Sequence, residues 1–134
     1  MENRKYDLIA ATGRVLIAAL FLLSGISKLG SAEGTIGYIA AAGLPLPTLG
    51  YAVALFMEIV VPIALVLGYK TRLSAATLAV FTVVAALCFH FQLGDQNQFI
   101  HFFKNIAIAG GLLQIVALGG GSLSLDGWRN SRSR

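Results

Sequence analysis

Apolar positions in this chain fall into four long runs, at about residues 8–29, 48–68, 73–93 and 99–118, divided by short polar clusters. Each run approaches the roughly 20 residues that a helix needs to cross a bilayer. The first, from Leu8 to Leu29, is about 33 Å long as a helix. Basic residues precede it in MENRKYDLIAATGR, as in a signal peptide. A signal peptide has a shorter apolar core, followed by a small-x-small cleavage site, and this run is long enough to span. It is therefore read as a retained transmembrane helix. Only GDQNQ separates the third run from the fourth, so these two are predicted to be antiparallel neighbours. The pattern predicts an all-α fold: an integral membrane four-helix bundle forming a single domain over residues 1–134.

The connection between the first two runs, SAEGTIGYIAAAGLPLP, is longer. Ser31 is a candidate helix cap, and Glu33 in the first turn suits the helix dipole. Ile36, Ile39, Ala40 and Gly43 follow helical spacing, and Gly43 and Pro45 end it. A short extra helix at about 32–43 is expected, at the membrane interface or tucked against the bundle.

Composition sharpens this picture. Hydrophobic residues make up 57% of the chain and charged residues only 12%, about half the charged fraction of a soluble domain. The net charge is +4, which by itself is compatible with nucleic acid or an anionic surface. The placement of the cations decides. Arg4 and Lys5, then Lys70 and Arg72, then Arg129, Arg132 and Arg134 all fall on one side of a four-span chain. The loops on the other side, 30–47 and 94–98, hold no Lys or Arg. The positive-inside rule then puts both termini, with the tail 119–134, in the cytoplasm of a bacterial-type inner membrane. These cations are topology determinants, and nucleic acid is excluded as a partner. Membrane lipid is the expected surroundings. The one cysteine, Cys88, allows no internal disulfide or C-x-x-C pair and is expected to be a small apolar core residue.

Three cations remain at or within the spans: Arg14, Lys28 and Lys104. Charges at membrane depth are costly, so they face the bundle interior, pair, or snorkel to an interface. Arg14, Ala18, Phe21, Gly25 and Lys28 share one helix face, where the small residues let a neighbour approach. Glu58 is the one acid within a span. Pro62, four residues later, removes the hydrogen bond that would reach the carbonyl of residue 58, at an expected kink. By depth, either Arg14 or Lys28 can be the partner of Glu58. The expectation is an Arg14–Glu58 structural pair in the inner half, leaving Lys28 for an outer ligand site.

That outer side also carries His90, His101, Lys104 and Asn105, the last three at i, i+3 and i+4 of one face. With Lys28 they form a candidate cationic layer that suits an anion or the carbonyls of a quinone. Glu58 is the candidate proton-handling group. Phe89, Phe91, Phe99, Phe102 and Phe103 nearby read as an interfacial belt, and Asn105 as a bond between helices. Two histidines are too few for a typical zinc site and lie near helix ends, so no metal centre is assigned.

The ordered motifs resemble the DoxX family of small four-helix membrane proteins. They are GR at 13–14, FLLSGISK at 21–28, AGLP at 42–45, Glu58, and GYKTR at 68–72. His90, FKN at 103–105, the glycine pair at 110–111 and GSLSLD at 121–126 complete the set. The resemblance covers nearly the whole chain. It implies a redox-associated membrane protein, a companion of quinone-linked oxidoreductases or of oxidative-stress and thiol-redox complexes. Its matched polar positions are Arg14, Lys28, Glu58, His90, Lys104 and Asn105, and His101 lies outside them. Three functional readings follow: a quinone- or small-anion-binding membrane subunit of an oxidoreductase, a non-enzymatic scaffold recruiting a soluble redox enzyme, or a small transporter acting as a homo-oligomer. No haem, flavin or iron–sulfur motif accompanies them.

Overall fold

The computed structural model describes residues 2–132. Helix α1 spans Glu2–Leu29 and α2 spans Ala32–Ala41. Helix α3 runs Pro47–Leu67, α4 Thr71–Phe89, α5 Gln96–Leu118 and α6 Leu125–Arg132. Helices α1, α3, α4 and α5 are each long and apolar enough to cross a membrane. Among the described residues there is no strand. With four spans, both ends of the described chain lie at one end of the bundle, called here the terminal end.

The core is built largely from small side chains, as expected where helix packing in lipid rests on close approach rather than on burial from water. Ala18 and Phe21 of α1 meet Val61 and Leu65 of α3, Ala75 and Leu78 of α4, and Ala109 and Leu112 of α5. All five residues of the α1 seam lie inward, with Lys28 half-buried. Leucine, valine and isoleucine side chains cover the outside, where they would meet acyl chains. Cys88 is on that outer surface rather than in the core. A small apolar side chain facing lipid carries no penalty, so the core expectation for it does not hold.

Helix α3 is not uniform. Pro47 opens it at its first turn, where a proline costs no hydrogen bond. Residues Phe56–Val60 form a π-helical turn, in which the Val61 N–H donates to the Phe56 carbonyl. Pro62 follows at once. Its ring would crowd the carbonyl four residues back, and the wider turn just before it accommodates that carbonyl. The kink expected from Pro62 thus takes the form of a π-turn, with Glu58 at its centre.

The remaining boundaries follow local chemistry. Helix α4 stops at Phe89, so residues 90–93, expected within the third span, instead belong to the turn to α5. The Asp95 side chain caps α5 by accepting from the N–H groups of Asn97 and Gln98. Ser31 does not cap α2: its hydroxyl donates to the Ser27 carbonyl behind it. Helix α2 instead tucks against the bundle through buried Ile39 and through Tyr38, which stacks on Phe89 at 5.3 Å.

Candidate functional site

Lys28 stands in the last turn of α1, near the end of the bundle opposite the termini. Side chains in a helix tilt toward its N-terminus, so the lysine reaches back along α1 into the bundle. Its Nζ donates to Glu58 Oε1 at 2.9 Å and to Ser24 Oγ, one turn earlier, at 2.9 Å. The Lys28 side chain is 29% exposed and that of Glu58 only 5%. Tyr51 of α3 donates its hydroxyl to the Lys28 carbonyl at 2.8 Å, tying the end of α1 to α3.

Two features bring the carboxylate to the ammonium. The π-turn re-aims Glu58 relative to the rest of α3. Gly25 lets the helices touch: a β-carbon there would lie 2.6 Å from Ile59 Cγ1 and 3.1 Å from both Cβ and the carbonyl oxygen of Glu58. An ammonium has three N–H donors, and two are used. Among the described residues Glu58 Oε2 accepts no hydrogen bond. The pair thus keeps one donor and one acceptor side by side between α1 and α3.

Arg14 is not the partner of Glu58. It is 2% exposed and lies near the terminal end. Its Nη1 donates to the Leu65 carbonyl at 3.1 Å and its Nη2 to the Leu123 carbonyl at 2.5 Å. Leu65 is in the last turn of α3, where orphan carbonyls and the helix dipole favour a cation. The pairing expected for Arg14 and Glu58 is therefore replaced by Lys28 and Glu58, and Arg14 ties the end of α3 to the tail. Among the described residues its Nε has no hydrogen-bond partner.

The other candidates form a separate group on α4 and α5. The rings of His90 and His101 stack at 5.2 Å, and His90 Nδ1 lies 2.8 Å from Gln98 Oε1. Asn105 Nδ2 makes a long contact of 3.5 Å to the Thr82 carbonyl of α4, a bond between helices. Lys104 is exposed on the outside of α5. No hydrogen bond, ion pair or ring contact joins these four to Lys28 or Glu58 among the described residues. The single cationic layer expected from sequence is thus split into the Lys28–Glu58 pair and a histidine stack. Phe91, Phe99, Phe102 and Phe103 make edge and tilted ring contacts beside that stack. Among the described residues no three His, Cys, Asp or Glu groups converge as metal ligands would.

Sequence reasoning missed the part played by the tail. At the terminal end, Asp126 accepts from the Lys70 N–H at 2.8 Å, the Thr71 N–H at 2.7 Å and the Thr71 hydroxyl at 2.8 Å. It caps α4 from 55 residues away. Asp7 of α1 accepts from the Ser122 hydroxyl, and the Asp126 N–H donates to the Gly68 carbonyl at 3.0 Å. The residues were visible in GSLSLD, but no periodicity signals their partners.

Four apolar helices of spanning length, closed by polar contacts at one end and holding an ammonium–carboxylate pair between two of them, define a multi-pass α-helical integral membrane protein. The family model for DoxX matches residues 9–91, and the chain belongs to the DoxX family. It is similar to inner membrane protein YphA of Escherichia coli (strain K12), 34% identical over 118 residues, 84% of each chain. It is also similar to inner membrane protein YqjF of the same organism, 30% identical over 128 residues, covering 94% of this chain and 95% of that one. No solved structure matches it.

Proposed function

We propose that the protein is a redox-associated subunit of the bacterial inner membrane, with both termini cytoplasmic, that binds a quinone head group or small anion between α1 and α3. The observation that carries this reading is the Lys28–Glu58 pair, buried on a π-turn with one N–H and one carboxylate oxygen unused. A quinone carbonyl accepts from such an ammonium, and a quinol hydroxyl donates to such a carboxylate. The same ammonium suits a small anion. Electrons would come from a partner oxidoreductase subunit, because the chain carries no recognisable redox motif of its own. The relatives' inner-membrane names and the loop charge asymmetry support the location and orientation.

The test is binding of a short-chain ubiquinone to the full chain in nanodiscs. Wild-type protein should bind saturably. Lys28→Met with Glu58→Gln should weaken binding at least tenfold, since hydrogen bonds to charged groups contribute about 1.5–3 kcal/mol each. Absence of saturable binding to the wild type, or equal binding by the double variant, refutes the quinone reading and leaves the pair as a staple of the bundle.

A further inference from the structure

The terminal end holds a second polar site, distinct from the Lys28–Glu58 pair and independent of the reading above. A cavity of about 840 Å³ opens between the start of α4 and the tail segment that returns to it. Lys70, Arg72 and Arg129 line it, with the backbone of Gly119–Gly121. Asp126 also faces it, but its carboxylate is engaged by the Lys70 and Thr71 groups. None of the three cations makes a close ion pair among the described residues, although Arg129 attracts the Asp126 carboxylate and Lys70 lies over the Tyr69 ring. The N–H groups of Gly120 and Gly121 donate to nothing there.

Glycines shape one wall of this cavity. Gly119 and Gly121 sit at φ 77° and 76°, a region that favours glycine. A β-carbon on Gly120 would lie 2.7 Å from the Thr71 hydroxyl oxygen and 2.9 Å from Ser124 Cβ. The guanidinium of Arg72 lies over Gly119, with Nε 3.1 Å from the place of a β-carbon. The three-glycine run thus threads closely between α4 and the tail, with the Arg72 guanidinium over Gly119 and the Asp7 carboxylate, itself engaged by Ser122, beside Gly121.

The rim is apolar on one side. Leu73 and Leu118, also lining the cavity, are 61% and 76% exposed, on the surfaces of α4 and α5 that continue into the lipid-facing wall. Tyr69 and Trp128 stand exposed at the same end, as aromatic rings do where a membrane protein meets the headgroup region. A free phosphorylated solute has no use for two bare leucines, whereas a phospholipid does: its phosphate meets the cations and its chains pass over Leu73 and Leu118. Basic pockets between transmembrane helices hold anionic headgroups in this way.

We infer that this cavity is a binding site for the phosphate of an anionic phospholipid. The test is native mass spectrometry of the full chain released from micelles doped with phosphatidylglycerol or with phosphatidylcholine, with millimolar inorganic phosphate as competitor. Wild-type protein should retain phosphatidylglycerol selectively. Arg72→Gln with Arg129→Gln should lower that retention about thirtyfold, at about 1 kcal/mol for each cation removed near the surface. Arg132→Gln, at the same end but outside the cavity lining, should leave it unchanged. Arg72, Arg129 and Arg132 are all exposed, and unaltered far-ultraviolet circular dichroism would show that each variant keeps its helices. Equal loss in Arg132→Gln would mean diffuse charge attraction and overturn the site. Displacement of the lipid by inorganic phosphate, or equal retention of phosphatidylcholine, would overturn the lipid assignment.

Discussion

The pairing of Glu58 with Lys28 rather than Arg14 can be measured by a double-mutant cycle. The variants are Lys28→Met, Glu58→Gln and the two together. Breaking a fully buried ion pair costs about 3–5 kcal/mol, while an exposed one contributes about 1 kcal/mol or less. The Glu58 side chain is 5% exposed and that of Lys28 29%, so the coupling should fall between these limits, at about 2 kcal/mol. Each single variant should lose more stability than the pair's removal as a unit implies, because each leaves one polar partner unmatched between α1 and α3. The assay is reversible unfolding in mixed micelles of mild detergent and dodecyl sulfate, followed by circular dichroism. A second cycle, Arg14→Met with Glu58→Gln, should be additive within about 0.5 kcal/mol, because the Arg14 bonds go to the Leu65 and Leu123 carbonyls. Additivity in the first cycle, or coupling in the second, would refute the assignment.

Gly25→Ala should destabilise the bundle by about 1–3 kcal/mol, since its β-carbon meets Ile59 and Glu58; the same micelle titration reads this. Gly68→Ala should release the tail, because a β-carbon there overlaps Ser124 and Arg14 and the φ is 69°; faster limited proteolysis beyond residue 120 checks it. Burial alone raises the Asp126 pKa, but hydrogen bonds from the Thr71 N–H and hydroxyl and the Lys70 N–H, with Arg129 nearby, outweigh it and bring it below the usual aspartate value. Its contribution to stability is therefore present above its unfolded value, near about 3.9, and is lost as pH falls through the lower folded value. Thermal melts should show Asp126→Asn with a flatter acid limb than wild type. A fluorescent protein fused at the C-terminus should light up in cells and a periplasmic phosphatase fused there should stay inactive; the reverse pattern would refute the orientation.

The four spans and the α1 seam were legible because both are local: run length and a 3.6-residue period read directly onto the structure. The choice between Arg14 and Lys28 was not, since depth alone allowed either. It turned on side-chain direction, with Lys28 folding back along α1 toward Ser24, and on the π-turn that re-aims Glu58. Lys104 shares a helical face with His101 and Asn105 by spacing, yet ends up exposed. How α5 is rotated against α4 depends on packing partners that no single helix encodes. The tail contacts escaped for a simpler reason: Asp7 and Ser122 are 115 residues apart, and no periodicity spans that distance.

The grip of residues 122–126 on three other helices has a consequence for biogenesis. A polytopic chain enters the membrane in sequence order, so Arg14 arrives in the first segment while its Leu123 acceptor is still unmade. The cap on α4 is likewise missing until Asp126 emerges. The terminal end of the bundle stays chemically unfinished until residues 122–126 are made, and that segment latches the helices already in place. A chain cut short before that segment would keep the Arg14 bond to Leu65 but lose the one to Leu123, and would leave α4 without its cap.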